Sequence, residues 1–372
     1  MTGRECSFAS RSLAPTDRSS VSDSSSRDEQ LLSPGDSHRS ITAISTPGTT
    51  TPVNQDPTFD NVLNMEHMEL FVHVITNKDL FNLGDKVEGF KVTFDKCLSE
   101  GIKAPYLLHQ VLAFAARHLA AIRPERSAHY LHQAVSLQTR AVSLFNSTNR
   151  EVNRTNCVAV LLFSVSLGHH LLADALANRG PDGLDGFLAQ YVQCVDMNRG
   201  IYNVARSAWP LLLASELAPV LSFSSGESSR EPKGSHCQPV VQLVNDSTGL
   251  REDEKEACQQ AIQYLQVGFD AMFTEEEEAK SNRFRMIFQW TMLASPELTS
   301  LLAEKRPEAL VLLGYYALLL HYGRNLWQIG DTGSYLLGLI VDYLRPEWHF
   351  WLDYPREMLR NDLEHAQAND MI

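Results

Sequence analysis

The 372 residues carry 32 Lys plus Arg against 45 Asp plus Glu, a formal net charge of −13, with 44% hydrophobic and 21% charged residues. A chain of this length and apolar content can bury a sizeable core, while its acidity excludes a surface built mainly to lie on phosphates, which needs clustered Lys and Arg. Apolar runs fall short of the roughly 18 residues of a membrane span, the N-terminal MTGRECSFASRS lacks an apolar signal region, and Cys6, Cys97, Cys157, Cys194, Cys237 and Cys258 are too scattered for a disulfide framework or zinc site, which predicts a soluble protein of a reducing compartment.

Residues 7–57 hold 13 Ser, 6 Thr, 5 Pro and 2 Gly. So little apolar surface cannot offset chain entropy, and residues 11–58 read as a disordered linker. Ser33-Pro34, Thr46-Pro47 and Thr51-Pro52 are candidate kinase sites within it. From Phe59 the pattern changes. Val62, Met65, Leu70 and Val74 fall at helical spacing, and a weaker segment spans 84–101. Pro105 opens a strong helix over 106–122 whose apolar face holds Leu107, Val111, Phe114, His118 and Leu119. Residues 126–146 repeat that rhythm. Residues 151–177 are apolar all round, the signature of a helix buried among others.

Asn178 to Gly186 is a loop by its Gly and Pro content. Helical pattern returns over 187–221, broken at Pro210 and Pro219, and 222–249 reads as a mobile Ser/Gly/Pro-rich loop. Further helices are predicted over 251–272, 283–304, 307–327 and 332–344, followed by the aromatic stretch from Trp348 to Pro355. Glu275–Glu278 reads as a solvated acidic run. Period-2 alternation is scarce, so the fold class is all-α: a single large domain of roughly ten helices over 59–360, with 361–372 as a flexible tail.

Chemical motifs are scarce as well. The sequence has no G-x-S-x-G, G-x-x-x-x-G-K-[ST], G-x-G-x-x-G or H-E-x-x-H pattern. His129 with His132, and His169 with His170, lack further ligands at metal spacing and read as packing or hydrogen-bonding residues. Gly330-Asp331-Thr332-Gly333 separates two very apolar segments flanked by Trp327 and Tyr335, an arrangement able either to line an apolar pocket or simply to turn between packed helices.

The order of segments resembles the regulatory domain of fungal zinc-cluster transcription factors, particularly those similar to the sterol uptake control regulators. The matching stretches are Tyr106 to Ala120, His129 to Ala134, Asn156 to Ser164, Ala208 to Leu212 and Arg306 to His321, continuing through Trp327 and Gly330 to Pro355. The resemblance covers about 60 to 358. It implies a non-enzymatic transcriptional regulator of the nucleus, shuttling from the cytoplasm in sterol-sensing relatives, with transcriptional partner proteins, a second copy of the chain and an apolar small molecule as expected partners. Control of a secondary-metabolite gene cluster fits it equally. By analogy, Leu319, Trp327, Gly330 and Tyr335 are the candidate ligand-binding residues. In the family a six-cysteine cluster holding two zinc ions precedes the linker. Gly3-Arg-Glu-Cys6-Ser-Phe-Ala resembles its last fragment, making residues 1–10 a remnant and Cys6 a remnant zinc ligand. With the chain starting at Met1 the other five cysteines are missing. No cofactor is expected in this chain, zinc entering only with an upstream cysteine cluster, and direct DNA binding is not expected. Two alternatives stay open: a metal-independent all-α enzyme of specialised metabolism, with Asp174, Asp182 and Asp185 as first suspects, and a ligand-free dimerisation or coactivator platform.

Overall fold

Local stop and start signals in the sequence cut the chain into short helices. Asn64 accepts the His67 backbone N–H at 3.0 Å and opens α1 (Met65–Thr76). Pro105 occupies the first turn of α3 (Pro105–Ile122), which follows α2 (Phe90–Lys103). A 3₁₀ turn, Pro124–Arg126, reverses the chain into α4 (Ser127–Ser147), which packs along α3. Then come α5 (Cys157–Leu176), α6 (Gly183–Ser207), α7 (Trp209–Leu213), α8 (Ala218–Ser228), α9 (Gln238–Asp246) and α10 (Glu252–Phe273). The Glu254 carboxylate closes the start of α10 by accepting the Arg251 backbone N–H at 2.8 Å. Ser295 and Pro296 split the next stretch into α11 (Arg285–Leu293) and α12 (Pro296–Ala303). Last are α13 (Pro307–Tyr322), α14 (Thr332–Tyr343), the 3₁₀ segment Pro346–Leu352 and α15 (Asp353–Asp370).

This computed structural model describes residues 64–77, 80, 90–148, 151–228, 230–274 and 283–370. Among them are fifteen α-helices and no strand, an all-α fold. The expected remnant at 1–10 with Cys6, the linker at 11–58 with its Ser-Pro and Thr-Pro sites, the starts of two early segments (59–63 and 84–89) and the run Glu275–Glu278 all lie outside the described residues.

Two hydrophobic cores share one bundle. The first gathers α1 to α4 around Phe114, Leu119 and Tyr130, with Ala159 and Phe163 of α5. The second surrounds α13 and draws on α5 through α14, with Leu352 beyond them. Helix α5 serves both, which is why its sequence is apolar on every side. By length and composition α5 is also apolar enough to cross a membrane, although Ser164, Ser166, Gly168, His169 and His170 interrupt it; 56% of its most apolar window is buried here against other helices.

Several sequence expectations change. Helix α6 begins at Gly183, inside the stretch Asn178 to Gly186 read as a loop, and the helix expected over 307–327 ends at Tyr322. The Ser/Gly/Pro-rich stretch 222–249 holds the end of α8 and all of α9. Its composition suggested a loop, yet Val240, Leu243 and Val244 sit at i, i+3 and i+4 and are buried, and Pro239 lies in the first turn, where a missing N–H costs nothing. The stretch 361–372 carries helix as far as Asp370.

Candidate functional site

The segment from Gly323 to Tyr335 gathers three of the four candidate residues. Glycine stands at positions 330 and 333 for different reasons. Gly330 adopts a left-handed backbone, φ +52°, with open space where a side chain would stand. At Gly333, by contrast, a Cβ would lie 2.4 Å from the His321 backbone nitrogen and 2.5 Å from the Ala317 carbonyl oxygen. Here α14 touches the α13 backbone directly, and only glycine fits.

The loop after α5 docks onto this turn. Arg179 donates to Asp331 at 2.6 Å and to the Thr332 hydroxyl at 3.2 Å, and its guanidinium lies 4.2 Å from the Tyr335 ring centroid. Another Arg179 nitrogen donates to the Leu176 carbonyl at 2.7 Å, completing the end of α5. Tyr335, Asp331 and Thr332 thus hold the loop after α5 against the start of α14.

Trp327 faces the other way, into the first core. Its ring stacks on His118 with centroids 4.7 Å apart and packs near Phe114, and its indole N–H donates to the Leu80 carbonyl at 3.2 Å. Leu319 is fully buried within α13, and a Cβ on Gly268 of α10 would stand 3.0 Å from its Cδ2. The candidates therefore face different neighbours: α10 for Leu319, α3 for Trp327 and the Arg179 loop for Tyr335, while Gly330 faces open space.

A cluster of buried polar groups lies between α3 and α5, where the sequence offered Asp174 as one enzymatic suspect. Gln110 Nε2 donates to His170 Nδ1 at 3.3 Å, which leaves the imidazole proton on Nε2, 3.6 Å from Asp174 Oδ2. Arg117 donates to the other Asp174 oxygen at 2.5 Å and to the Ala173 carbonyl at 3.2 Å. Burial drives the His170 imidazole down to about 4 against the opposing pull of Asp174, so the ring is neutral near neutrality. His169 stacks on Phe288 at 3.7 Å and is likewise held down to about 4 by burial. This constellation has the groups of an acid–base relay, with the imidazole of His170 buried and the Asp174 carboxylate half-buried. It ties two helices together. Asp185 pairs with Lys305 at 2.7 Å, and Asp182 precedes the first turn of α6 without a cap bond from its side chain.

Nothing in the sequence announced Arg117–Asp174 or Gln110–His170, because the partners stand 57 and 60 residues apart. The available signal was a charged residue on the apolar face of each helix, which burial obliges to find a partner. His129 and His132 are exposed, and among the described residues no three His, Cys, Asp or Glu side chains converge as metal ligands. The five described cysteines are free and buried. Burial pushes the Cys97, Cys194 and Cys258 thiols up to about 12, far from the reactive thiolate.

A surface groove of about 580 Å³ runs between α14 and α15. Its apolar lining comes from Leu337, Val341 and Leu359, its small floor from Ser334 and Gly338, and its rim carries Arg356, Arg360, Asp342, Asp353 and Glu357. None of the four candidate residues lines it. Neither protein-family models nor curated protein sequences give a match to this chain.

Proposed function

We propose that the chain is a regulatory domain of a transcriptional regulator, acting in the nucleus through partner proteins. The observation that carries this reading is the ordered resemblance of five segments, from Tyr106 to His321, to the helical domain of fungal zinc-cluster regulators. An all-α bundle in which those segments form α3, α4, α5, α7 and α13 is the architecture such a domain requires. Polar groups engaged in helix-to-helix ties, as at Arg117 and Asp174, also suit a scaffold better than a reaction centre.

The test is deletion of the gene with transcript profiling, together with imaging of the tagged protein. Nuclear residence and a coherent set of altered transcripts are expected. Nuclear exclusion with unchanged transcripts would refute the reading. Tethering the chain to a heterologous DNA-binding domain then reads the sign of regulation directly.

A second, finer reading keeps the apolar ligand that the resemblance implies. It would seat the ligand in the groove between α14 and α15, where Leu337, Val341 and Leu359 lie beside five charged side chains, rather than on the divergent set Leu319, Trp327, Gly330 and Tyr335. A ligand that binds only the folded chain raises its melting temperature. Sterols and other apolar metabolites that leave the melting temperature unmoved would assign the domain to the ligand-free dimerisation or coactivator role.

A further inference from the structure

Helix α15 has two unlike sides. Pro355 is buried, Met358, Leu359 and Asp362 are half-buried, and the helix packs on α13 and on the 3₁₀ segment before it. The opposite side carries Asp353, Arg356, Glu357 and Arg360, all exposed and all lining the groove against α14. Their spacing, i, i+3, i+4 and i+7, puts the four charges on one face. On the α14 side of the groove, Ser334 and Gly338 are small and stand one turn apart, and a Cβ added at Gly338 would meet no atom within 4 Å. A second helix can therefore approach α14 closely.

Within the chain these four charges are little used. Arg356 lies 3.6 Å from Asp353, with the two side chains 48% and 60% exposed, a pairing that contributes little in water. Glu357 and Arg360 make no side-chain ion pair or hydrogen bond among the described residues. Along the face the signs run minus, plus, minus, plus. Two such faces laid antiparallel about a two-fold axis between Arg356 and Glu357 set Asp353 against the partner's Arg360 and Arg356 against the partner's Glu357. Every charge then meets its opposite. A parallel pair sets each charge against its own copy, which repels. The same two-fold brings Phe350, 71% exposed, toward the end of the partner helix that carries Leu363, 39% exposed.

We propose that α15 is a self-recognition surface through which two copies of this chain form an antiparallel two-fold dimer, the α15 of each lying over the groove of the other. Such an interface uses one patch twice and closes on itself. Leu337, Val341 and Leu359 supply its apolar floor, and the four charges set its direction. The formal net charge of −13 opposes association, but at physiological salt charges more than about 8 Å apart are largely screened, whereas pairs in contact are not. With eighteen residues, α15 is about 27 Å long, which suits a modest interface with a dissociation constant on the order of 1 µM. The dimer stands apart from the transcriptional reading and competes with an apolar ligand for the groove.

The experiment is sedimentation equilibrium on the full chain at roughly 1 to 100 µM, with two charge variants. Arg356→Glu/Arg360→Glu makes the face wholly acidic, and Asp353→Lys/Glu357→Lys makes it wholly basic. All four positions are exposed, and an unchanged melting temperature confirms that each variant folds. The parent is expected to be a dimer. Each variant alone is expected to self-associate at least about tenfold more weakly, and an equimolar mixture of the two to recover dimers. A parent that stays monomeric overturns the proposal, whether or not sterols raise its melting temperature. Variants that dimerise undiminished place the contact elsewhere and overturn it too, as does a mixture that remains monomeric.

Discussion

Helices α1 and α13 show two ways of holding a helix in one bundle. Fourteen of the sixteen residues of α13 are buried, including Tyr315 and Tyr316, and α9 to α12, α14 and α15 surround it. Two of the twelve residues of α1 are buried, and charged and imidazole groups complete its attachment. A helix held by apolar area fails only with the whole core. A helix held by polar contacts of half-exposed groups gains little from each of them and can open alone. The same molecule thus contains an element that defines its global stability and one that does not report on it.

The largest expected effect tests the α13 side. Leu319→Ala removes a fully buried side chain from a filled core and is expected to cost about 4 kcal/mol, read as a lowered denaturant midpoint. Gly333→Ala forces a Cβ into the α13 backbone, and α13 and α14 must separate; about 3 kcal/mol is expected by the same measurement. A loss under about 1 kcal/mol would mean that the contact between these helices is loose. Asp174→Ala strands Arg117, whose side chain is 10% exposed, but Asp174 itself is 35% exposed, so about 2 kcal/mol is expected rather than the full penalty of a buried pair.

Acidification comes next. His170 is neutral in the fold with its value pressed down to about 4, from an ordinary 6.5. Its contribution is complete above about pH 6.5 and is lost as pH falls from there toward 4, with a slope of at most about 1.4 kcal/mol per pH unit. His170→Gln should flatten that part of the stability profile. The smallest effect sharpens the comparison most. Leu70 is 1% exposed and Leu319 0%, yet Leu70→Ala should leave the global denaturant midpoint within about 0.5 kcal/mol of the parent and only speed exchange of α1 amides. Equal global losses for the two leucines would erase the distinction between the helices.

How much of this was legible in the sequence follows the same divide. Helix α13 announced itself: Pro307 and Glu308 at its start, then apolar residues on every side, which only a central position satisfies. The turn Gly330 to Gly333 was visible too, although the two glycines proved to have separate causes, one conformational and one steric. The attachment of α1 was not visible, because it depends on His73 meeting a residue 45 positions away. Helix α9 was hidden for another reason. Its Ser, Gly and Pro flanks outweighed the short period of Val240, Leu243 and Val244, and nine residues give few repeats for a pattern to stand out. The candidate ligand residues given by analogy with the resembled family face different neighbours, since successive positions on a helix and turn point in different directions.

The buried cysteines give the molecule internal clocks. Cys97 belongs to the first core, whereas Cys157, Cys194, Cys237 and Cys258 belong to the second. Each thiol is shielded from an aqueous alkylating reagent until its own surroundings open, so its labelling rate times that opening. One unmodified chain therefore carries a separate timer in each core, and the order in which the five sulfurs react records which half of the bundle yields first.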